Sequence, residues 1–405
     1  MSVRRPLVET PAWVTLVLCT AAALLEGFDN QSMGVAAPRL VAEFGLSAAQ
    51  SGVIFSAATM GLFVGAALGG RIADFVGRKR ALNIALLMFG AFSLLTALAG
   101  SAPWLFVARL LTGLGLGGAM PNFISLASES APADRRISAV TVVMAGMPMG
   151  GAIAGLMALG AQLGWNWRSI FWVGGAAPLG LAVAVWAFLP DRRRSAAAGV
   201  PEGAAVQSVG CVLFGAGRAA TTLLLWAGFF FTQLVLLLML NWLPSLMIGL
   251  GFTRTEASIA SVCFNVSGGL GAMLLGRVHA GRHRRRWVVI TYVGMAAALT
   301  AVSGVGADFR IAVIACACAG VFIIGAQLIL FALAPLYYQF NMRGTGVGAA
   351  VALGRLGSVV GPLFAGGLLA RGGGSATVLL AVIPFVIAGG GGAFALTWRK
   401  QCPDA

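Results

Sequence analysis

Charge is what this chain has least of. Asp, Glu, Lys and Arg make up 10% of its 405 residues, where a soluble domain carries about 25%. So few charges cannot cover a water-facing surface, and this argues against the two or three soluble domains that the length would otherwise suggest. Histidine is nearly absent, with His279 and His283 both in one basic loop. The six cysteines (Cys19, Cys211, Cys263, Cys316, Cys318 and Cys402) mostly sit inside apolar runs, without a CxxC pair or a histidine cluster beside them. No metal site, disulfide or cofactor is expected from that arrangement. No nucleophile or cofactor motif occurs either, and the longest gap between apolar runs, near 190–219, leaves no room for a soluble effector domain. A membrane enzyme or sensor is therefore disfavoured.

What is abundant is apolar sequence, at 59%, together with 57 glycines. In a soluble protein that much glycine would signal loops, whereas in membrane helices small residues let backbones approach closely. A spanning helix needs about 20 mainly apolar residues. Such runs occur at 13–36, 48–72, 81–100, 103–126, 138–162, 168–189, 220–247, 256–277, 287–305, 310–333, 343–369 and 375–398. The expected fold is an all-α membrane protein of about twelve spans in two six-helix halves. The halves cover 1–189 and 220–405, joined by a linker at 190–219 that opens Leu-Pro-Asp-Arg-Arg-Arg and then turns small and polar. The first run, Trp13 to Leu25, resembles the core of a signal peptide, but its apolar character continues to Ala37, long enough to span.

The net charge of +15 would suit nucleic-acid binding were the basic residues not confined to short clusters between spans. Nineteen of the 27 Lys and Arg fall on the side that carries both termini. Arg39, Arg168, Arg254, Arg310 and Arg371 fall on the other. By the positive-inside rule the termini are cytoplasmic, in a bacterial-type inner membrane, with lipid and not nucleic acid as the partner. The halves also repeat. Gly70-x-x-x-Asp74-x-x-Gly77-Arg78-Lys79-Arg80 follows the second span, and Gly276-x-x-x-Ala280-Gly281-Arg282-His283 follows the eighth, 206 residues later. Two such repeats flanking a mid-membrane site is a known transporter plan.

The loop at 70–80 resembles the long signature G-x-x-x-D-[RK]-x-G-R-[RK] of the major facilitator superfamily, with Phe75 in place of a basic residue. Arg109-x-x-Thr112-Gly113-x-Gly115 resembles the superfamily's second motif. Glu26-Gly27-Phe28-Asp29 is similar to the D-G-x-D motif of the aromatic acid:proton symporter family. The glutamate matches the branch that resembles 3-(3-hydroxyphenyl)propionate transporters. So do Pro121-Asn122, Asn241-Trp242-Leu243-Pro244 and the stretch from Phe331 to Gly366. The resemblance implies proton-coupled uptake of a small aromatic carboxylate by a chain that works as a monomer. The competing reading is a proton-coupled efflux antiporter of the same fold. Against it, the G-x-x-x-G-P pattern of drug antiporters is degenerate in the fifth span (Gly146 to Gly151) and complete only in the eleventh, at Gly357-x-x-x-Gly361-Pro362.

Ionisable groups within spans are costly and usually functional. Glu26 and Asp29, three apart on one helix, share a face. Two carboxylates close together at low dielectric cannot both ionise easily, which suits a proton carrier. Arg109 in the fourth span is expected to hold these acids in one state and release them in another. Arg355 in the eleventh is expected to grip the substrate carboxylate with its planar fork. Bringing in an anion alone costs about 2.3 kcal/mol per 100 mV, which one co-transported proton removes. Gln233, Asn241, Gln327 and Asn122 are candidates for reading a ring hydroxyl, and Phe231, Phe331 and Tyr337 for an aromatic pocket, against packing roles for each. Asp74, Gly77 and Arg78 are expected to form a cytoplasmic latch with Arg135 or Arg136. Gly354, Gly357 and Gly361 suggest close helix packing, and Gly61, Gly65 and Gly69 a mobile interface.

Overall fold

The computed structural model describes residues 11–132, 135–160, 166–189, 209–215, 217–279, 284–306, 308–338 and 342–399. The described chain is helical: α1 (Ala12–Phe44), α2 (Ala48–Val76), α3 (Arg78–Ala97), α4 (Ala102–Ser130), α5 (Arg136–Met144), α6 (Gly146–Leu159), α7 (Trp167–Phe188), α8 (Val209–Phe214), α9 (Ala219–Gly249), α10 (Arg254–His279), α11 (Arg284–Ser303), α12 (Phe309–Leu333), α13 (Arg343–Ala370), α14 (Ser375–Ala381) and α15 (Ile383–Leu396). Among the described residues, 11 helices are long and apolar enough to cross a membrane, counting α5–α6 and α14–α15 as one span each. The remaining long helix, α10, has 26 residues. Large apolar side chains such as Val107, Val183, Trp186, Ile314 and Ile387 are exposed, as lipid contact requires.

Local chemistry sets the helix ends. Ser47 and Gln50 form a reciprocal capping box at the start of α2, and Thr253 and Glu256 do the same at the start of α10. The two boxes are 206 residues apart, the offset of the loop repeat. Helix α1 runs past the expected end at 36, through Pro38, and stops only at Gly45, whose φ of 61° is left-handed. The fifth span breaks at Ala145, because Pro148 has no N–H to give the Met144 carbonyl. The last span breaks at Val382 for the same reason, at Pro384. The expected linker lies outside the described residues up to 208. Its residues Val209–Phe214 form α8, which packs on α9 and α13.

The repeat reappears in the packing. In the first half α1 lies on α6, α2 on α4 and α3 on α7; in the second α9 lies on α13, α10 on α12 and α11 on α15. With no hydrophobic drive between helices in lipid, close backbone approach decides which seams form. A Cβ on Gly61 or Gly65 would strike the backbone of Leu110 or Leu114, and one on Gly357 or Gly361 that of Phe230 or Leu234. The Gly61–Gly65–Gly69 stripe thus joins α2 to α4 within one half; the expected mobile interface is elsewhere.

Between the halves, α2 meets α13, α6 meets α10 and α1 meets α9. Ser56 Oγ donates to the Val359 carbonyl (2.8 Å), and the Phe55 and Trp242 rings meet edge-on at 5.0 Å. Gln31 donates to the Leu240 carbonyl (2.9 Å) and accepts from Asn265 Nδ2 (3.0 Å). These contacts lie toward the end of the bundle where α2 and α10 begin, opposite the end from which α1 enters.

Candidate transport site

Helix α1 brings both acids into the bundle, each 1% exposed, and the structure sends them to different arginines. Arg109 on α4 holds Asp29 in a two-pronged pair, Nη1 to Oδ1 at 2.7 Å and Nη2 to Oδ2 at 2.8 Å. Both side chains are 2% exposed. The guanidinium lies over the Phe171 ring of α7, 5.4 Å from its centroid. This is the planar, parallel geometry that makes arginine–carboxylate pairs strong, and it is complete within the first half. Arg109 therefore engages Asp29 alone among the two acids.

Glu26 is different. Neither carboxylate oxygen has a hydrogen-bond partner. The cation facing it is Arg355 on α13, in the other half, with Nη2 3.9 Å from Oε1. That spacing is a Coulombic contact and not a hydrogen bond. Arg355 instead directs Nη2 at Met120 Sδ, 2.9 Å away on α4, a weak acceptor for a strong donor. Burying an ionised carboxylate without donors is expensive, so Glu26 and Arg355 form a loosely satisfied pair poised for a proton on one side and a better acceptor on the other. The four groups sum to zero charge when all are ionised. Protonating Glu26 leaves one guanidinium uncompensated.

The other predicted residues divide. Gln327 on α12 is buried with both amide atoms unpartnered, and Gln233 on α9 is buried with Oε1 unpartnered. Asn122 and Asn241 bond the carbonyls four residues back, Gly118 (2.8 Å) and Leu237 (2.9 Å), leaving their side-chain oxygens as the atoms able to meet a ligand. Tyr337 is buried, and its hydroxyl donates to the Leu396 carbonyl at 2.6 Å, bracing the last span. Phe331 packs edge-on with Phe229 (5.2 Å) and Phe231 stacks on Phe385 (5.8 Å), both within the second half.

In the loop signature, Gly77 links α2 to α3 with φ of 88° and ψ of 153°, backbone open essentially to glycine alone. Arg78 pairs with Glu129 at the end of α4 (2.5 Å), a partner the sequence reading did not name. Lys79 donates to the Leu189 carbonyl at the end of α7. Arg135 is exposed; the side chains of Asp74 and Arg136 lie outside the described residues. Gln31 and Asn265, which bridge the halves, were also missed. Their signal was there: amide side chains inside apolar runs, one of them two residues after Asp29.

Residues 19–362 match the Major Facilitator Superfamily. The chain is 40% identical to the 3-(3-hydroxyphenyl)propionate transporter of Escherichia coli K12, over 97% of this chain and 96% of that protein. It is 33% identical to a gallate transporter of Pseudomonas putida (89% and 86%) and 32% identical to that organism's 4-hydroxybenzoate transporter (92% and 89%). Among solved structures, a D-xylose–proton symporter superposes with a TM-score of 0.79 at 18% identity, covering 97% of this chain and 98% of that one. A bacterial homologue of the lysosomal transporter Spinster gives 0.77 at 19% (96% and 98%). Paired helical repeats, a buried charged centre between them and sequence likeness along nearly the whole length converge: this chain belongs to the major facilitator superfamily, a multi-pass inner-membrane transporter and not an enzyme.

Proposed function

We propose that the chain imports a small aromatic carboxylate together with a proton, and that the substrate is 3-(3-hydroxyphenyl)propionate or a similar hydroxylated aromatic acid. The observation that carries this reading is the buried Glu26–Arg355 contact between the halves, at 3.9 Å with no donor on the carboxylate. A proton on Glu26 releases Arg355, whose fork then takes the substrate carboxylate in place of Met120. Proton and anion bind in a linked way, and the loaded site carries no more charge than the empty one. Asp29 and Arg109 stay paired, shaping the floor of the site from the first half. Gln327 and Gln233, with unpartnered amide atoms, read the ring hydroxyl, and Asn122 and Asn241 are further candidates for it. The relatives named as carriers of hydroxylated aromatic acids support the substrate class.

The halves 1–189 and 220–405 rock about this centre, with both termini in the cytoplasm. Contacts through Gln31, Asn265, Ser56 and Val359 close the outer end, as expected of a state that offers the site to the inside. Gly77 and Arg78, with Asp74, Arg135 and Arg136, form the inner latch when the inside shuts, Arg78 then leaving the Glu129 pair that it holds within the first half in this state. The test is uptake of labelled 3-(3-hydroxyphenyl)propionate by cells expressing the chain, in competition with gallate, 4-hydroxybenzoate and benzoate. Uptake should slow when the outer pH rises from 6 to 8 and stop with a protonophore. Uptake indifferent to both would refute symport, and accelerated loss of preloaded substrate would establish efflux instead.

A further inference from the structure

Helix α1 carries one basic residue, Arg39, and the transport centre does not use it. Arg39 lies ten residues beyond Asp29, about 15 Å along the axis, at the end of the bundle where the halves touch. It lines a cavity of about 240 Å³ built from both halves, with Arg254 of α10 on the facing wall. The Gln31–Leu240 and Gln31–Asn265 bonds stand between this cavity and the Glu26–Arg355 centre. The other described lining is mostly apolar, Val35, Ile170 and Ile248 among it, with Asn166, Thr255 and Ser258 adding polar side chains.

The electrostatics favour an anion. The two guanidinium charges face each other across the interface and repel. Helices α7 and α10 both start at the cavity, at Asn166 and Arg254, so the positive ends of two helix dipoles add to the arginines. Two acids at this end of the bundle hold other partners. Glu43 pairs with Arg168 at 2.7 Å and accepts from Trp167 Nε1, and Glu256 accepts from the Thr253 backbone and hydroxyl. The cavity is smaller than the sites that take drug-sized ligands, and its described lining, two arginines with a mostly apolar wall and a few hydroxyl and amide groups, matches a single ring bearing a carboxylate.

We propose that this cavity is a second binding site, an outer capture site where a small aromatic carboxylate lodges between Arg39 and Arg254 before the halves part. Identifying the ligand as the transported class rests on the function proposed above; the existence of an anion site does not. Because the ligand bridges both halves, it also offsets the repulsion between the arginines while the outer end is shut.

The test uses the full chain in nanodiscs with Thr255, on the cavity wall, replaced (Thr255→Cys), and follows alkylation at position 255 by peptide mass spectrometry. Benzoate should slow labelling at least tenfold, and benzamide, which lacks the charge, should not. Arg254→Gln should raise the half-protecting benzoate concentration about tenfold, with Arg254→Lys in between. Protection should persist in Arg355→Gln, which disables the inner centre. Equal protection by benzamide, no protection by benzoate, or protection that vanishes in Arg355→Gln would each overturn the outer site. A chain that takes up no aromatic acid yet shows this protection would refute the proposed function and leave the anion site standing.

Discussion

Replacing Glu26 by Gln imitates the protonated acid without altering its shape. Two unit charges 3.9 Å apart interact by about 4 kcal/mol at an effective dielectric of about 20. That is the scale of influence Glu26 can have on an anion competing for Arg355. Couplings between bound ligands usually reach about 1–3 kcal/mol, or about 5–150-fold in affinity, because solvent and neighbouring groups take up the rest. Binding of 3-(3-hydroxyphenyl)propionate to purified protein in nanodiscs, followed by equilibrium dialysis, should therefore weaken by a factor in that range as Glu26 loses its proton. The substrate's own carboxyl ionises near pH 4–5, so between pH 6 and 8 it stays an anion and does not confuse the reading. In Glu26→Gln the affinity should match the wild type's tight, low-pH value and stay flat with pH. Uphill accumulation should be lost, while exchange of labelled for unlabelled substrate survives. Folding should survive too, since neither Glu26 oxygen holds a donor. A variant that keeps the wild-type pH dependence would show that the proton rides elsewhere.

Three further outcomes follow from the geometry. Asp29→Asn leaves Arg109 buried without its counter-charge, a loss of about 3–5 kcal/mol; Asp29→Asn with Arg109→Met should recover much of the thermal stability in detergent, and a double variant no better than the single would deny the pair its structural role. Arg355→Lys keeps the charge and loses the fork, so substrate affinity should fall about tenfold or more in the dialysis assay while expression is unchanged; unchanged affinity would assign Arg355 to packing. Gly77→Ala forces a side chain onto backbone at φ 88° and should cost about 1–3 kcal/mol, read as a lower unfolding temperature; an unchanged midpoint would mean the turn rearranges freely.

Most of the helical plan was readable because lipid imposes a simple rule: each crossing needs an apolar run of fixed length, and each loop carries its charge bias. Breaks inside spans were harder to see. Pro148 and Pro384 split their helices, while Pro121, Pro178, Pro244 and Pro362 sit within continuous ones, since neighbouring helices in a membrane bundle can re-satisfy the freed backbone groups. The extension of α1 to Phe44 was also hidden, because Arg39 and Glu43 look like loop residues until Gly45 ends the helix.

The candidate site shows the same division. Glu26, Asp29, Arg109 and Arg355 stood out from the sequence alone, because a charge inside an apolar run has no cheap explanation. Their partners did not. Helix periodicity places Glu26 and Asp29 on one face, yet cannot say that α4 brings Arg109 to one and α13 brings Arg355 toward the other. Nor can it say that Gln31 of α1 meets Asn265 of α10, 234 residues away. Composition and spacing determined a membrane bundle with ionisable groups inside it, since the transfer cost of each residue is its own property. Which acid is locked and which is left open depends on how the two repeats meet. That pairing was decided only when tertiary packing set the distances between charges.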